Sequence, residues 1–142
     1  MQRGQLNHMD IDIHFIPILS VCQPYAHLII HGPKRIENRT WSTRHRGWLG
    51  IHASKSLGYM LDAELYRELI GDVGALQFGA IIGRVRVVAC VGRNGDRLLD
   101  DGPNLDWVFE DPWFEGPVGW VLESPTPIEP IPCRGKPGLF RI

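Results

Sequence analysis

The sequence has almost no net charge: 15 Lys and Arg stand against 16 Asp and Glu, leaving −1 at pH 7. That excludes a chain drawn as a whole to nucleic acid or to an acidic membrane by its global field. No apolar run approaches the ~20 residues that a membrane span needs. The opening residues, MQRGQLNHMDIDIH, contain no apolar stretch of the secretory type, so the expected compartment is the cytoplasm. Cysteine is sparse: Cys22, Cys90 and Cys133 are far apart, odd in number and form no CxxC pair. Each sits in an apolar or strand-like stretch, which suits buried free thiols in a reducing environment. GxSxG, P-loop and dinucleotide fingerprints are missing, as is any recognisable Cys–His signature. There is no repeat, low-complexity block or linker to separate a second domain.

What is present suits one small domain. Of 142 residues, 44% are hydrophobic and 22% charged, and the 16 Gly and 11 Pro point to short elements joined by tight turns. The charge is unevenly spread. From Lys34 to Lys55, six cations (Lys34, Arg35, Arg39, Arg44, Arg46, Lys55) oppose Glu37, a balance of +5. From Asp96 to Glu123, eight acids oppose Arg97, a balance of −7. The basic segment could face a polyanion; the alternative is two solvated surfaces that attract each other.

Residues 1–14 read as a loose polar tail and 15–142 as the folded domain. Ile18–Cys22 suits a buried strand. Gln23-Pro24 opens a helix carrying Tyr25, Leu28 and Ile29 on one face, and Gly32-Pro33 ends it. Arg35–Trp41 reads as a strand with Ile36, Asn38 and Thr40 on one face and Glu37, Arg39 and Trp41 on the other. A second strand, Trp48–Ala53, follows the loop 43–47. Ser56 is expected to cap a helix to about Ile70, with Leu57, Leu61, Leu65 and Leu69 along one side. Ala80–Val91 is the longest strand signal, Val85, Val87 and Ala89 alternating with Arg84, Arg86 and Val88. Asn104–Phe109 suits one helical turn, and Val118–Leu122, Ile128–Cys133 and Leu139–Ile142 suit short strands. Many short strands with two early helices predict an α+β fold, a small mixed β-barrel with two main helices packed beside it.

Chemistry concentrates in residues 23–55. A helix ends at Gly32 and the chain places Lys34 at the mouth of a strand whose Glu37 and Arg39 share a face. Arg39 offers a rigid fork of donors for a phosphate or a base edge. Lys34 is a compact cation that burial can deprotonate. Glu37 can accept from an exocyclic amino group or hold the two cations. The same charges would also make an ion-paired, solvated strand face.

Gly32-Pro33-Lys34-Arg35-Ile36-Glu37-Asn38-Arg39 resembles the GxKxxExR signature of the ASCH family. Leu19-Ser20-Val21-Cys22-Gln23-Pro24-Tyr25-Ala26 is similar to its LSxxQPWA start, with Tyr25 in place of the usual Trp. Glu37–Trp41, Arg46-Gly47 and Ile51–Lys55 resemble its ENRTW, RG and IHASK pieces. Gly83–Val85 and the terminal Gly138–Ile142 also fall where that family has strands, so the likeness runs over about residues 18–142. The resemblance implies a PUA-like barrel with a cleft beside the first helix, lined by Gly32, Lys34, Glu37 and Arg39, with Gln23 and Tyr25 nearby. It also implies RNA or a nucleotide as partner. One branch of the family resembles an amidohydrolase that removes an acyl group from the exocyclic nitrogen of a modified cytidine such as N4-acetylcytidine. There the signature Lys is catalytic, and a Thr stands where this chain has Glu37. Lys34 as base or nucleophile and Glu37 as proton shuttle would be the catalytic pair. A module that binds only protein is a third reading.

Trp41, Arg44, His45, Arg46 and Trp48 interleave rings with cations, as a surface that stacks bases and tracks phosphates would. Trp48 is expected in the core because Leu49 and Ile51 continue an apolar strand; Trp41 suits core or platform. His27 and His31 have a helical metal spacing but no Glu between them and no third ligand nearby, so no metal or cofactor is expected. His52 suits either cleft lining or a satisfied core histidine. Trp107 and Trp113 are expected to pack a long acidic loop against the barrel.

Overall fold

A computed structural model of the protein describes residues 12–58, 63–71, 73–92 and 97–142. Its elements are β1 (Ile18–Gln23), α1 (Tyr25–His31), β2 (Ile36–Arg39), β3 (Gly47–Leu57), α2 (Ala63–Ile70), β4 (Ala80–Gly92), β5 (Val118–Pro132) and β6 (Leu139–Phe140), with 3₁₀ turns at Ile13–Phe15, Val73–Ala75 and Pro103–Glu110. The strands form one mixed sheet in the order β2-β5-β4-β3-β1-β6. Only the β1–β3 pair is parallel; α1 and β2 lie between those two strands in the chain, as a parallel crossover requires. This is the α+β, PUA-like arrangement expected, with an open ladder in place of a closed barrel among the described residues. No described helix is long and apolar enough to cross a membrane.

The sheet curls around its own core. Leu19 and Val21 of β1, Leu49, Ile51 and Ala53 of β3, Val85 and Val87 of β4 and Trp120 of β5 face inward. Ala26, Ile29 and Ile30 of α1 pack against them. A Cβ on Gly83 would lie 2.7 Å from Ile30 Cδ1 and 2.8 Å from Thr126 O, so the missing side chain lets α1 seat directly on β4. Register slips in β4 near Ile81–Gly83, Arg84–Arg86 and Val87–Ala89 bend it into the curl. They also break the alternation: Cys90 joins the inner core, while Ala89 turns to the outer cluster with Ile36, Val91, Val108 and Val121. Because β5, β4 and β3 separate β2 from β1, only a strongly rolled sheet can let Arg39 Nη2 donate to Ser20 O at 2.8 Å. A side chain spans the gap that a closed barrel would fill with a ladder.

Several boundaries differ from expectation. Ser56 and Leu57 extend β3 instead of opening a helix, leaving Leu57 61% exposed; Leu61 lies outside the described residues. Val118–Leu122 and most of Ile128–Cys133 belong to one continuous strand that passes through Pro125, Pro127 and Pro130 and ends at Pro132, one residue before Cys133. β2 pairs with Val118–Val121 and Arg35 O accepts from Leu122 N, so beyond Leu122 β5 has a free edge among the described residues and loses no ladder bond to proline there. Ile13, at the end of the expected tail, packs with Ile16, Ile18, Ile81 and Phe140.

Candidate functional site

The α1–β2 junction gathers the charged residues. Gln23 Oε1 accepts from His27 N at 2.9 Å and so caps α1, where Pro24 stands at the N-cap. At the other end Leu28 O accepts from both Gly32 N (3.1 Å) and Lys34 N (3.2 Å). That doubled bond turns the chain out of the helix and sends the Lys34 side chain back over it. β2 then directs Ile36 outward and Glu37 into the roll.

Lys34 is 5% exposed and Glu37 7%. The Lys34 ammonium donates to Ile36 O and lies 3.7 Å from Glu37 Oε1. The other carboxylate oxygen, Oε2, accepts from Arg39 Nε at 2.9 Å and forms an ion pair with Arg39 Nη2, also at 2.9 Å. One carboxylate thus bridges an amine and a guanidinium, and Arg39, with a quarter of its side chain exposed, forms the open end. The Lys34 Nζ is flanked by the rings of Tyr25 (5.6 Å) and Trp113 (5.7 Å), both half-buried.

Burial pushes the Lys34 ammonium below the usual lysine range, while the charges of Glu37, then Glu115 and Asp111, hold it up. Burial likewise raises the Cys22 thiol, and the Glu37 carboxylate raises it further, so Cys22 is a thiol at neutral pH and not a ready nucleophile. Tyr25 is raised by burial and by Cys22, Glu115 and Glu37, and keeps its phenol proton.

The remaining expected residues fall elsewhere. Gln23 is fully buried and donates to Gln77 O at 2.7 Å, so its amide serves the fold at both ends. Arg46 is occupied: it donates to Thr43 O (2.6 Å) and His45 O (2.9 Å) and pairs with Asp100 at 2.7 Å. Arg44 is exposed and makes no ion pair among the described residues. Trp41 packs edge-on against Trp120, centroids 4.9 Å apart, at the rim of the inner core. Trp48 is only half-buried, lying beneath the Arg84 guanidinium at 4.1 Å. The basic and acidic segments do meet, through Arg46–Asp100 and Arg35–Asp111 (3.6 Å).

His27 and His31 stack with centroids 4.8 Å apart, and no group of metal ligands occurs among the described residues. His52 is a satisfied, 2% exposed histidine on the outer face, away from the Lys34 cleft. Among the described residues, sequence reasoning missed Trp113 as a wall of the cleft. Asn38 holds it there, donating to Trp113 O (2.8 Å) while accepting from Glu115 N and Gly116 N (2.8 and 2.9 Å). No local pattern announces a contact across 75 residues.

The rolled six-stranded sheet with α1 beside its mouth defines a PUA-like domain. The ASCH domain model matches residues 19–128, more than half of the chain, which therefore belongs to the ASCH domain family. Activating signal cointegrator 1 from Homo sapiens is 28% identical over 134 residues, and that from Mus musculus 53% over 135; each alignment covers 87% of this chain. The chain spans about a fifth of those relatives, 22% of their length. The crystal structure of ASCH from Zymomonas mobilis shares the fold, with a TM-score of 0.50, 18% identity, and coverage of 92% of this chain and 89% of that one. A point mutant of it gives 0.52 and 16%, covering 93% and 91%.

Proposed function

We propose that this domain binds RNA or a nucleotide in the cleft formed by Lys34, Glu37 and Arg39. The observation that carries the reading is the single buried carboxylate bridging an amine and a guanidinium between two aromatic rings. Arg39 at the open end can fork onto a phosphate or a base edge, and the Tyr25 and Trp113 rings offer faces for stacking. Glu37 orients both cations and can accept from an exocyclic amine. Arg44 is the loop cation available to track a backbone phosphate. The family resemblance points to the same partner class. A thermal-shift panel of nucleosides, nucleotides and short RNAs tests this, because a ligand that binds only the folded state raises its stability. A stabilising ligand whose effect Arg39→Ala removes supports the cleft; indifference of every stabilising ligand to Arg39→Ala refutes it.

A second reading rests on the depressed basicity of Lys34. An amine whose charged form burial disfavours, beside a carboxylate, can in its neutral form take a proton from water as it adds to an acyl carbonyl on a base. The C–N bond then breaks, and the exocyclic nitrogen leaves with a proton returned through the Lys34–Glu37 pair. N4-acetylcytidine would give cytidine and acetate, and Lys34→Ala would stop turnover while the fold survives. No turnover across acylated nucleosides would sink this reading and leave the binding one standing.

A further inference from the structure

A second recess lies on the outer face of β1 and β3. Ile51 and Ala53 point into the inner core, so His52 between them points outward, and Ser20 stands beside it in the register. The recess encloses about 920 Å³, and Ser20, His52, Lys55, Arg134, Gly135 and Lys136 are among the residues lining it. We propose that it is a phosphate-binding site, which accepts the phosphate monoester of a nucleotide or of a phosphorylated RNA end.

Charge is the first argument. Three cations line the recess, and no carboxylate does so among the described residues. Elsewhere Lys34, Arg35, Arg39 and Arg46 all have acidic partners, whereas Lys55, Arg134 and Lys136 are exposed and make no ion pair among the described residues. Three uncompensated cations converging on one concavity suit a dianion, with Arg134 supplying a fork and the lysines compact charge.

The second argument is that the floor is built and fixed. His52 Nε2 lies 2.9 Å from Cys133 O, which can only accept, so the proton sits on Nε2. Nδ1 lies 2.9 Å from Ser20 Oγ, which completes the imidazole's bonding. A Cβ on Gly135 would fall 2.8 Å from Ser20 Oγ and 2.9 Å from His52 Cε1, so the turn presses its bare backbone onto this pair. Cys133 N donates to Gly79 O at 3.1 Å, and Pro132 and Pro137 flank the turn. Arg134 and Lys136 are thus carried on a pinned segment, one on each side of Gly135. The third argument is size: the volume lies toward the upper end of the range for small-molecule pockets, with room for a sugar and base behind the phosphate.

This site is distinct from the Lys34 cleft, with which it shares only Ser20, whose carbonyl anchors Arg39. The test is an NMR titration of the ¹⁵N-labelled chain with cytidine, cytidine 5′-monophosphate, and matched RNA hexamers bearing a 5′-phosphate or a 5′-hydroxyl. The monophosphate is expected to shift the Gly135 and Lys136 amides, which cytidine leaves in place. Arg134→Ala with Lys136→Ala should weaken that titration by about tenfold or more. A Gly135 response to the 5′-phosphate hexamer as well, and not to its 5′-hydroxyl counterpart, would extend the ligand from free nucleotides to strand ends. Equal response to cytidine, shifts confined to Tyr25 and Arg39, or a double variant that titrates within about twofold would overturn the proposal. Shifts confined to Tyr25 and Arg39 would still support the Lys34 cleft, so the two sites fail separately.

Discussion

Replacing Glu37 with Gln keeps the shape of the side chain but removes the one anion that both Lys34 and Arg39 touch. In the native protein Glu37 is 7% exposed and its carboxylate holds one cation through each oxygen. Breaking a buried pair from one side leaves an uncompensated charge, a loss of about 3–5 kcal/mol. Arg39 can swing its partly exposed guanidinium toward water, and Lys34 can shed its proton, so the low end, about 3 kcal/mol, is expected. At about 3 °C per kcal/mol for a chain of this size, Tm should fall by roughly 10 °C. Urea unfolding with an unchanged m-value would show that the folded state is what suffers. Lys34→Met removes the cation that Glu37→Gln strands, so the double variant should be less damaged than the two single losses added together. A coupling of at least about 1 kcal/mol is expected from that cycle. Additive effects within about 0.5 kcal/mol would mean that Lys34 and Glu37 do not act as a pair, and the account of the cleft would be wrong.

Lys34 also gives the protein a pH signature. Its folded pKa lies below the unfolded one, so between the two the unfolded chain holds a proton that the folded chain lacks, and stability rises with pH across that window. Subtracting the Lys34→Met profile from the wild-type profile up to about pH 10 should leave a positive slope; a flat difference would contradict the burial effect. Asn38→Ala removes three bonds to residues 113–116 and should lower stability by about 2 kcal/mol, with weaker ligand binding as Trp113 loosens; urea titration and a binding isotherm read the two effects separately. In RNA binding, Arg44→Ala should reduce the salt slope by about one, whereas Arg46→Ala should leave the slope alone and lower stability by about 1 kcal/mol. The reverse pattern would show that Arg46 leaves Asp100 for phosphate.

Much of this site is legible in the sequence because its logic is local. The period of two that separates Glu37 and Arg39 from Ile36 and Asn38 is a property of any strand. The helix end at Gly32 follows from neighbouring residues alone. What escaped was set by distant partners. Arg46 reads as a free loop cation until Asp100 arrives across 54 residues, and Gln23 reads as a cleft residue until Gln77 takes its amide. The register slips in β4 are likewise invisible to an alternation count, which groups Ala89 with Val85 and Val87 although the structure turns it to the outer cluster. The outer recess depends on a turn, 133–137, that contributes two cations from a stretch read only as a link between strands. Ser56 resembles a helix cap in isolation, but β1 supplies the pairing, Gln23 opposite Leu57, that commits this region to strand.

The long rail of β5 past Leu122 carries a consequence for the molecule's behaviour in a crowded solution. An exposed strand edge invites a foreign chain to dock along its free amides. Here Pro125, Pro127, Pro130 and Pro132 carry no amide hydrogen, and Ser124 adopts a left-handed φ of 55° that interrupts the extended run. Among the described residues nothing caps this border, yet an incoming strand would find no backbone donor at any of these four positions.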